Sequence, residues 1–144
     1  MSLMQDDRLE AVADSRRFPK ALRLNSRRLI EELFDGGHGS RSLAVFPLRA
    51  VYMYKEHTHG DAPVQLLVSV PKKRFHHAVD RNRVKRQIRE AFRLHKSVLL
   101  SAVPQGRCLL LALVWLSDRQ FSSVEVEGRI AALLQRIAER EDGR

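Results

Sequence analysis

The chain has 144 residues, a length that fits one domain. Lys and Arg total 26 against 17 Asp and Glu, a net charge of +9, and 44% hydrophobic residues suffice for a modest core. That balance favours a polyanionic partner, nucleic acid ahead of an acidic membrane surface, and the single cysteine, Cys108, excludes an internal disulfide.

Residues 1–17 are polar and charged and read as an N-terminal tail, without the apolar stretch that export requires. Phe18 to Leu24 reads as extended, and Asn25 or Ser26 can cap a helix over Ser26–Phe34, where Leu29, Ile30, Leu33 and Phe34 recur at helical spacing and Gly36-Gly37 stop it. Ser42 to Tyr54 is apolar and aromatic and predicts a strand, with Pro47 marking an edge position or a bulge. A loop or hairpin connection over Lys55–Pro63 follows, then a strand over Gln65–Val70 with Leu66, Val68 and Val70 on one face. Pro71 to Asp80 reads as an irregular basic loop, and a helix is expected from about Arg81 to His95. Pro104-Gln105-Gly106 makes a turn into a continuous apolar run, Arg107–Leu116, that predicts a buried strand with Cys108 as a small hydrophobe and Trp115 in the core. Its longest apolar stretch, Cys108–Leu116, is too short to span a bilayer. Ser122 and Glu125 form a capping box for a last helix with Val126, Ile130, Leu133, Leu134 and Ile137 on one stripe. The order of elements predicts a small α/β or α+β sandwich. A cytoplasmic location fits the cysteine usage and the polar N-terminus.

The strongest signal lies between Lys72 and Lys96. Ten basic residues and two acidic ones, Asp80 and Glu90, give this 25-residue stretch a net charge of +8, nearly the whole charge of the chain. On a helix, Val84, Ile88, Ala91 and Phe92 share one face. Asn82, Lys85, Arg86, Arg89, Arg93 and Lys96 gather in an adjoining sector. A solvated helix face normally mixes both signs. This one is almost wholly positive, and a phosphate backbone would relieve its self-repulsion and release counterions. Strand-like segments on both sides of the helix count against a helix-turn-helix DNA reader, so structured RNA is the better fit.

The run Lys72-Lys73, Ala78-Val79, Arg81-Asn82-Arg83-Val84-Lys85-Arg86 and Arg89-Glu90-Ala91-Phe92-Arg93 closely resembles the signature of the bacterial ribonuclease P protein. Phe18-Pro19-Lys20, Arg23-Leu24 and Leu33-Phe34 before Gly37 resemble that family's N-terminal segment, so the likeness spans about residues 18–138. It implies a single domain over 18–140, with a two-layer α/β (α+β) sandwich of the ribosomal protein S5 domain 2-like kind. The implied order is helix, three strands, helix, strand, helix, with a left-handed crossover. It also implies a subunit of an endoribonuclease that removes the 5′ leader of precursor tRNA, with the catalytic centre in an RNA subunit and Mg2+ held chiefly by that RNA. Carried over residue by residue, Lys72, Lys73, Arg81, Asn82, Arg83, Lys85, Arg86, Arg89 and Arg93 would bind the catalytic RNA. Lys20, Arg23, Ile30 and Phe34 would line a cleft for the leader. Two places depart from the family pattern: Ile30 stands where an aromatic is frequent, and Arg74-Phe75-His76-His77 replaces a glycine-containing turn.

His57, His59, His76 and His77 lack acidic or cysteine partners at ligand spacing, so no protein-bound metal is expected, and neither DNA nor a membrane is an expected partner. Phe92 is expected in the core, whereas Phe34 suits core and cleft equally. A general or ribosome-associated RNA-binding protein is the competing reading. A self-sufficient nuclease is disfavoured, because no Asp/Glu cluster could hold two catalytic metals.

Overall fold

The computed structural model describes residues 22–35, 39–57 and 62–142, with the side chains of residues 141 and 142 left aside. The expectations for the tail over 1–17, for Phe18-Pro19-Lys20, for Gly36-Gly37 and for His59 lie outside the described residues. The elements are α1 (Arg27–Asp35), β1 (Arg41–Val45), β2 (Leu48–Glu56), β3 (Val64–Ser69), α2 (Ala78–His95), the single turn α3 (Ser97–Leu100), β4 (Arg107–Trp115) and α4 (Ser123–Asp142).

The four strands form one sheet in the order β1-β2-β4-β3. The apolar run of β4 takes an inner position, antiparallel to β2 from Leu48↔Trp115 to Glu56↔Arg107 and parallel to β3 from Val64↔Leu109 to Ser69↔Val114. Parallel neighbours cannot be joined by a tight turn, so the chain leaves the sheet after β3 and returns through α2 and α3. This placement puts the basic helix on the sheet.

Alternate residues of β4 serve two cores. Leu109, Leu111, Leu113 and Trp115 join Leu48, Ala50, Tyr52, Val64 and Leu66 beneath α2 and α4. Cys108, Leu110 and Ala112 join Val51, Met53, Leu24 and Leu33 beneath α1. The two-layer expectation is corrected accordingly: α2, α4 and the sheet make two layers, and α1 adds a short partial layer on the opposite face. A strand that is apolar on every residue from Cys108 to Trp115 requires cover on both sides, and α1 supplies the second.

Three local readings change or sharpen. The expected strand Ser42–Tyr54 is a hairpin: β1 and β2 pair antiparallel from Arg41↔Tyr52 to Val45↔Leu48, with Phe46-Pro47 as the turn. Pro47 has no N–H for a ladder, and its carbonyl accepts Leu116 N–H at 2.7 Å. The basic helix begins at Ala78, three residues before the expected Arg81, with Asp80 favourably placed in its first turn. At the last helix the capping box is reciprocal. Ser122 N–H donates to Glu125 Oε1 at 3.0 Å, and Glu125 N–H donates to Ser122 Oγ at 3.1 Å. Helix α1 starts as expected, with Ser26 Oγ accepting Leu29 N–H at 3.4 Å.

Candidate nucleic-acid interface

The buried side of α2 is the stripe foreseen from its spacing: Val84, Ile88 and Phe92 are fully buried and Ala91 nearly so. Gln87 shares that stripe and was not singled out from the sequence. Its Nε2 donates to Phe121 O at 3.0 Å and Ser123 Oγ at 3.1 Å, tying α2 to the start of α4. Its position three residues after Val84 and four before Ala91 was the available signal. These anchors aim the remaining sectors of the helix at solvent.

There the cations divide by what they touch. Lys72, Lys73, Lys85 and Arg86 make no hydrogen bond or ion pair among the described residues, and Lys72, Lys73 and Arg86 are exposed. Asn82 is exposed beside them. Arg81 Nη1 donates to the carbonyls of Phe75 (2.9 Å) and His76 (3.2 Å), so this side chain braces the loop that precedes its own helix. Arg83 Nη1 donates to Gln120 Oε1. Arg93 grips Glu90 with two bonds, at 3.1 and 2.6 Å, and holds the Glu90 carboxyl below the usual carboxylate range. The Arg89 guanidinium is pushed down, first by burial and then by the charge of Arg23.

Arg23 belongs to the other set of candidates, and its influence on Arg89 places it at the border of the basic face. It bridges Leu66 alongside β3, and the next residue, Leu24, donates N–H to Leu66 O at 2.8 Å. Ile30 is half-buried against the second core, while Leu33 takes the fully buried position of α1. Phe34 is 45% exposed, which resolves its two options in favour of the surface. Lys20 lies outside the described residues. The structure therefore brings Ile30 and Phe34 onto one helix, one turn apart, with Arg23 on the segment that enters it.

Helix α1 covers only part of its face of the sheet. Across the strands, Ala44 pairs with Arg49, Arg49 with Val114 and Val114 with Ser69. All four are exposed or half-buried. This open row lies on the α1 side of the sheet, and Arg49, whose Nε donates to Ser42 Oγ at 3.1 Å, supplies it with a cation. Arg49 was missed because a lone cation in an apolar strand carries no motif; strand alternation placed it opposite the buried Leu48 and Ala50. Among the described residues no three of His, Cys, Asp and Glu gather as metal ligands. His76 and His77 meet edge to face at 5.5 Å as exposed loop residues.

The family model of Ribonuclease P matches residues 18–137. A ribonuclease P protein component from Porphyromonas gingivalis is 42% identical over 121 residues, covering 83% of this chain and 85% of its own. One from Chlorobium phaeobacteroides is 37% identical over 86 residues, covering 58% of this chain and 57% of its own. Among solved structures, a Staphylococcus aureus RNase P protein mutant with defective mRNA degradation activity superposes with TM-score 0.62 at 20% identity, covering 96% of this chain and 98% of that one. The RNase P protein from Thermotoga maritima gives 0.58 at 24%, covering 79% and 96%. At such identities the structures speak to the fold, a sheet-and-helix domain of the kind described above.

Proposed function

The chain belongs to the ribonuclease P protein family, the protein component of the endonuclease that processes tRNA 5′ ends, and from that premise we propose that it uses two separate surfaces for two RNAs. The carrying observation is α2, whose apolar stripe is buried while its other faces carry six Lys and Arg residues, of which Arg86 is exposed and without a partner among the described residues. Lys72, Lys73, Asn82, Arg83, Lys85, Arg86, Arg89 and Arg93 bind the catalytic RNA through its phosphates, and Arg81 serves that surface by holding the loop. The groove beside α1, with Arg23, Ile30, Phe34 and the added Arg49, takes the single-stranded 5′ leader of precursor tRNA. Lys20 belongs to the same set by its sequence position. A ring such as Phe34 stacks on any base, so the groove reads the leader with little sequence preference.

Hydrolysis of the phosphodiester is assigned to magnesium ions held chiefly by the RNA subunit, and the protein contributes binding and orientation. The same reading places the chain in the ribosomal protein S5 domain 2-like class, with a left-handed crossover from β3 through α2 to β4. The domain then spans 18–140, with 1–17 as a tail. A substrate of precursor tRNA supports a cytoplasmic location within this reading. No described helix is long and apolar enough to cross a membrane.

The test is precursor-tRNA cleavage at low magnesium and moderate salt with a cognate catalytic RNA alone, the protein alone, and both. Cleavage at the mature 5′ end only, or far faster, with both is the expected result. Tight RNA binding without enhancement would leave a general RNA-binding protein, and cleavage by the protein alone would make it a nuclease in its own right.

A further inference from the structure

The turn between β1 and β2 carries Phe46 with 59% of its surface exposed. Nothing in a two-residue turn demands an aromatic side chain there, yet the residue is firmly held. Phe121 meets its ring edge-on, with centroids 6.4 Å apart and planes at 71°. Phe121 is in turn edge-on to the fully buried Trp115, at 5.5 Å. Arg129 Nε donates to Phe46 O at 3.0 Å and fastens the turn to α4. An aromatic propped from behind by an aromatic column and still exposed is preorganised to receive a flat partner.

The surroundings select the kind of partner. The Arg119 guanidinium lies 5.3 Å from the Phe121 ring centroid, and Arg129 is at the turn itself. Of the carboxylates nearby, Asp118 pairs with Arg74 at 3.4 Å, and Glu125 accepts Ser122 N–H and also feels the charges of Arg129 and Arg119, a single carboxylate against two guanidinium groups. The patch is also continuous with the basic helix. Gln120, next to Phe121, accepts from Arg83 and donates to Asp80 O at 3.4 Å, so the β4–α4 loop is stitched to the first turn of α2.

We propose that Phe46 is a stacking platform for an unpaired base of the catalytic RNA, with Arg119 and Arg129 on the flanking phosphates. The RNA interface then runs from α2 across the β4–α4 loop to the β1–β2 turn. This rests on the docking of α2 proposed above. A base suits the site because its π-face stacks on an aromatic ring while its own backbone meets the cations.

The experiment titrates the full chain against a cognate catalytic RNA over a series of salt concentrations, for the wild type, Phe46→Ala, Phe46→Leu, Phe46→Trp, Arg119→Ala and Arg86→Ala. Loss of one stacked base weakens binding by about fivefold or more. Phe46→Ala and Phe46→Leu should show that loss with an unchanged salt slope, since no charge is removed, whereas Phe46→Trp should bind as the wild type. Arg119→Ala should flatten the slope. Phe46→Leu keeps the apolar bulk, so it reads out the lost π-face even if the alanine variant folds poorly. Wild-type binding by Phe46→Ala and Phe46→Leu, with Arg86→Ala weakened, overturns the platform and leaves α2 docking intact. Wild-type binding by all of them removes α2 docking as well. A loss seen only with leader-bearing tRNA, or a wild-type dimer that Phe46→Leu dissociates, assigns Phe46 to substrate or to self-association and overturns the proposal.

Discussion

Arg86 and Arg81 lie five residues apart in one cationic helix, yet they should fail differently when replaced by alanine. Arg86 is exposed and has no partner among the described residues, so its removal leaves the fold alone and deletes one charge from the surface. Each phosphate contact contributes about 0.9 to the slope of log K against log salt on a duplex and about 0.7 on a single strand. Between 1 M and 0.1 M salt, one contact is therefore worth a factor of about five to eight. Arg86→Ala should bind the catalytic RNA about five- to eightfold more weakly at 0.1 M, with its salt line meeting the wild-type line near 1 M. Arg81 instead holds two loop carbonyls, Phe75 O and His76 O. Its loss removes charge-assisted bonds that are partly open to water, worth about 1 kcal/mol together. That should lower the melting temperature by about 2–8 °C, with a smaller change of salt slope than Arg86→Ala. The assay is a filter-binding or anisotropy titration from 0.1 to 1 M salt, with melting curves on the same proteins. A salt line for Arg86→Ala parallel to the wild type would refute the phosphate contact. Wild-type melting for Arg81→Ala, with the full slope loss, would refute the brace.

Three further outcomes follow from the geometry. Phe34→Ala, at an exposed site, should weaken binding of leader-bearing tRNA to the holoenzyme about fivefold or more and of mature tRNA little, with unchanged melting; equal losses would remove Phe34 from the groove. Leu111→Ala, fully buried at the middle of β4, should cost about 2–5 kcal/mol in urea unfolding. The Glu125 carboxyl is held below its usual range, first by Ser122 N–H and then by the Ser122 side chain. A depressed folded value means that its stabilising effect is complete above the unfolded carboxylate pKa and is lost as pH falls through the folded one. Ser122→Ala should move the Glu125 titration, followed by NMR, part of the way up, because the backbone donor remains.

The elements whose signal is local were readable from the chain. The Ser122–Glu125 capping box, the α2 stripe and the β4 run each carry their cue within a few residues, and each stands where expected. The β1–β2 hairpin was not legible by pattern. No glycine or asparagine marks its two-residue turn, and Phe46-Pro47 interrupts an apolar run without breaking its character. The family resemblance supplied the third strand that periodicity missed. Gln87 shows the other limit. A polar residue on a buried stripe reads as an error unless its partners are known, and Phe121 and Ser123 lie more than thirty residues ahead. Arg49 and Phe46 share this difficulty, since Arg49 acquires meaning only from strands that pair across the sheet and Phe46 only from Phe121 and Arg129, more than seventy residues ahead. The same holds for the border between the two proposed surfaces, where the charge of Arg23 reaches Arg89 from a different end of the domain.

Concentrating so much positive charge on one helix raises the question of why α2 stays folded without its partner. Like charges one turn apart, such as Arg81 and Lys85, Lys85 and Arg89, or Arg89 and Arg93, each cost about 0.2–0.5 kcal/mol when exposed. Three such pairs come to about 1 kcal/mol, and the Arg93–Glu90 bridge offsets part of it. Against this, Val84, Ile88 and Phe92 are each fully buried, and each such side chain contributes about 1.5–3 kcal/mol. Burial exceeds repulsion severalfold, so the helix can stand as a preformed bank of cations in the free protein. Its unpaired members remain available to a phosphate backbone. An RNA that docks on it does not have to order the helix first, and the relief of repulsion adds to the affinity. At Arg89 the charge of Arg23 adds to those of Lys85 and Arg93, so an anion docked there relieves repulsion from three neighbours.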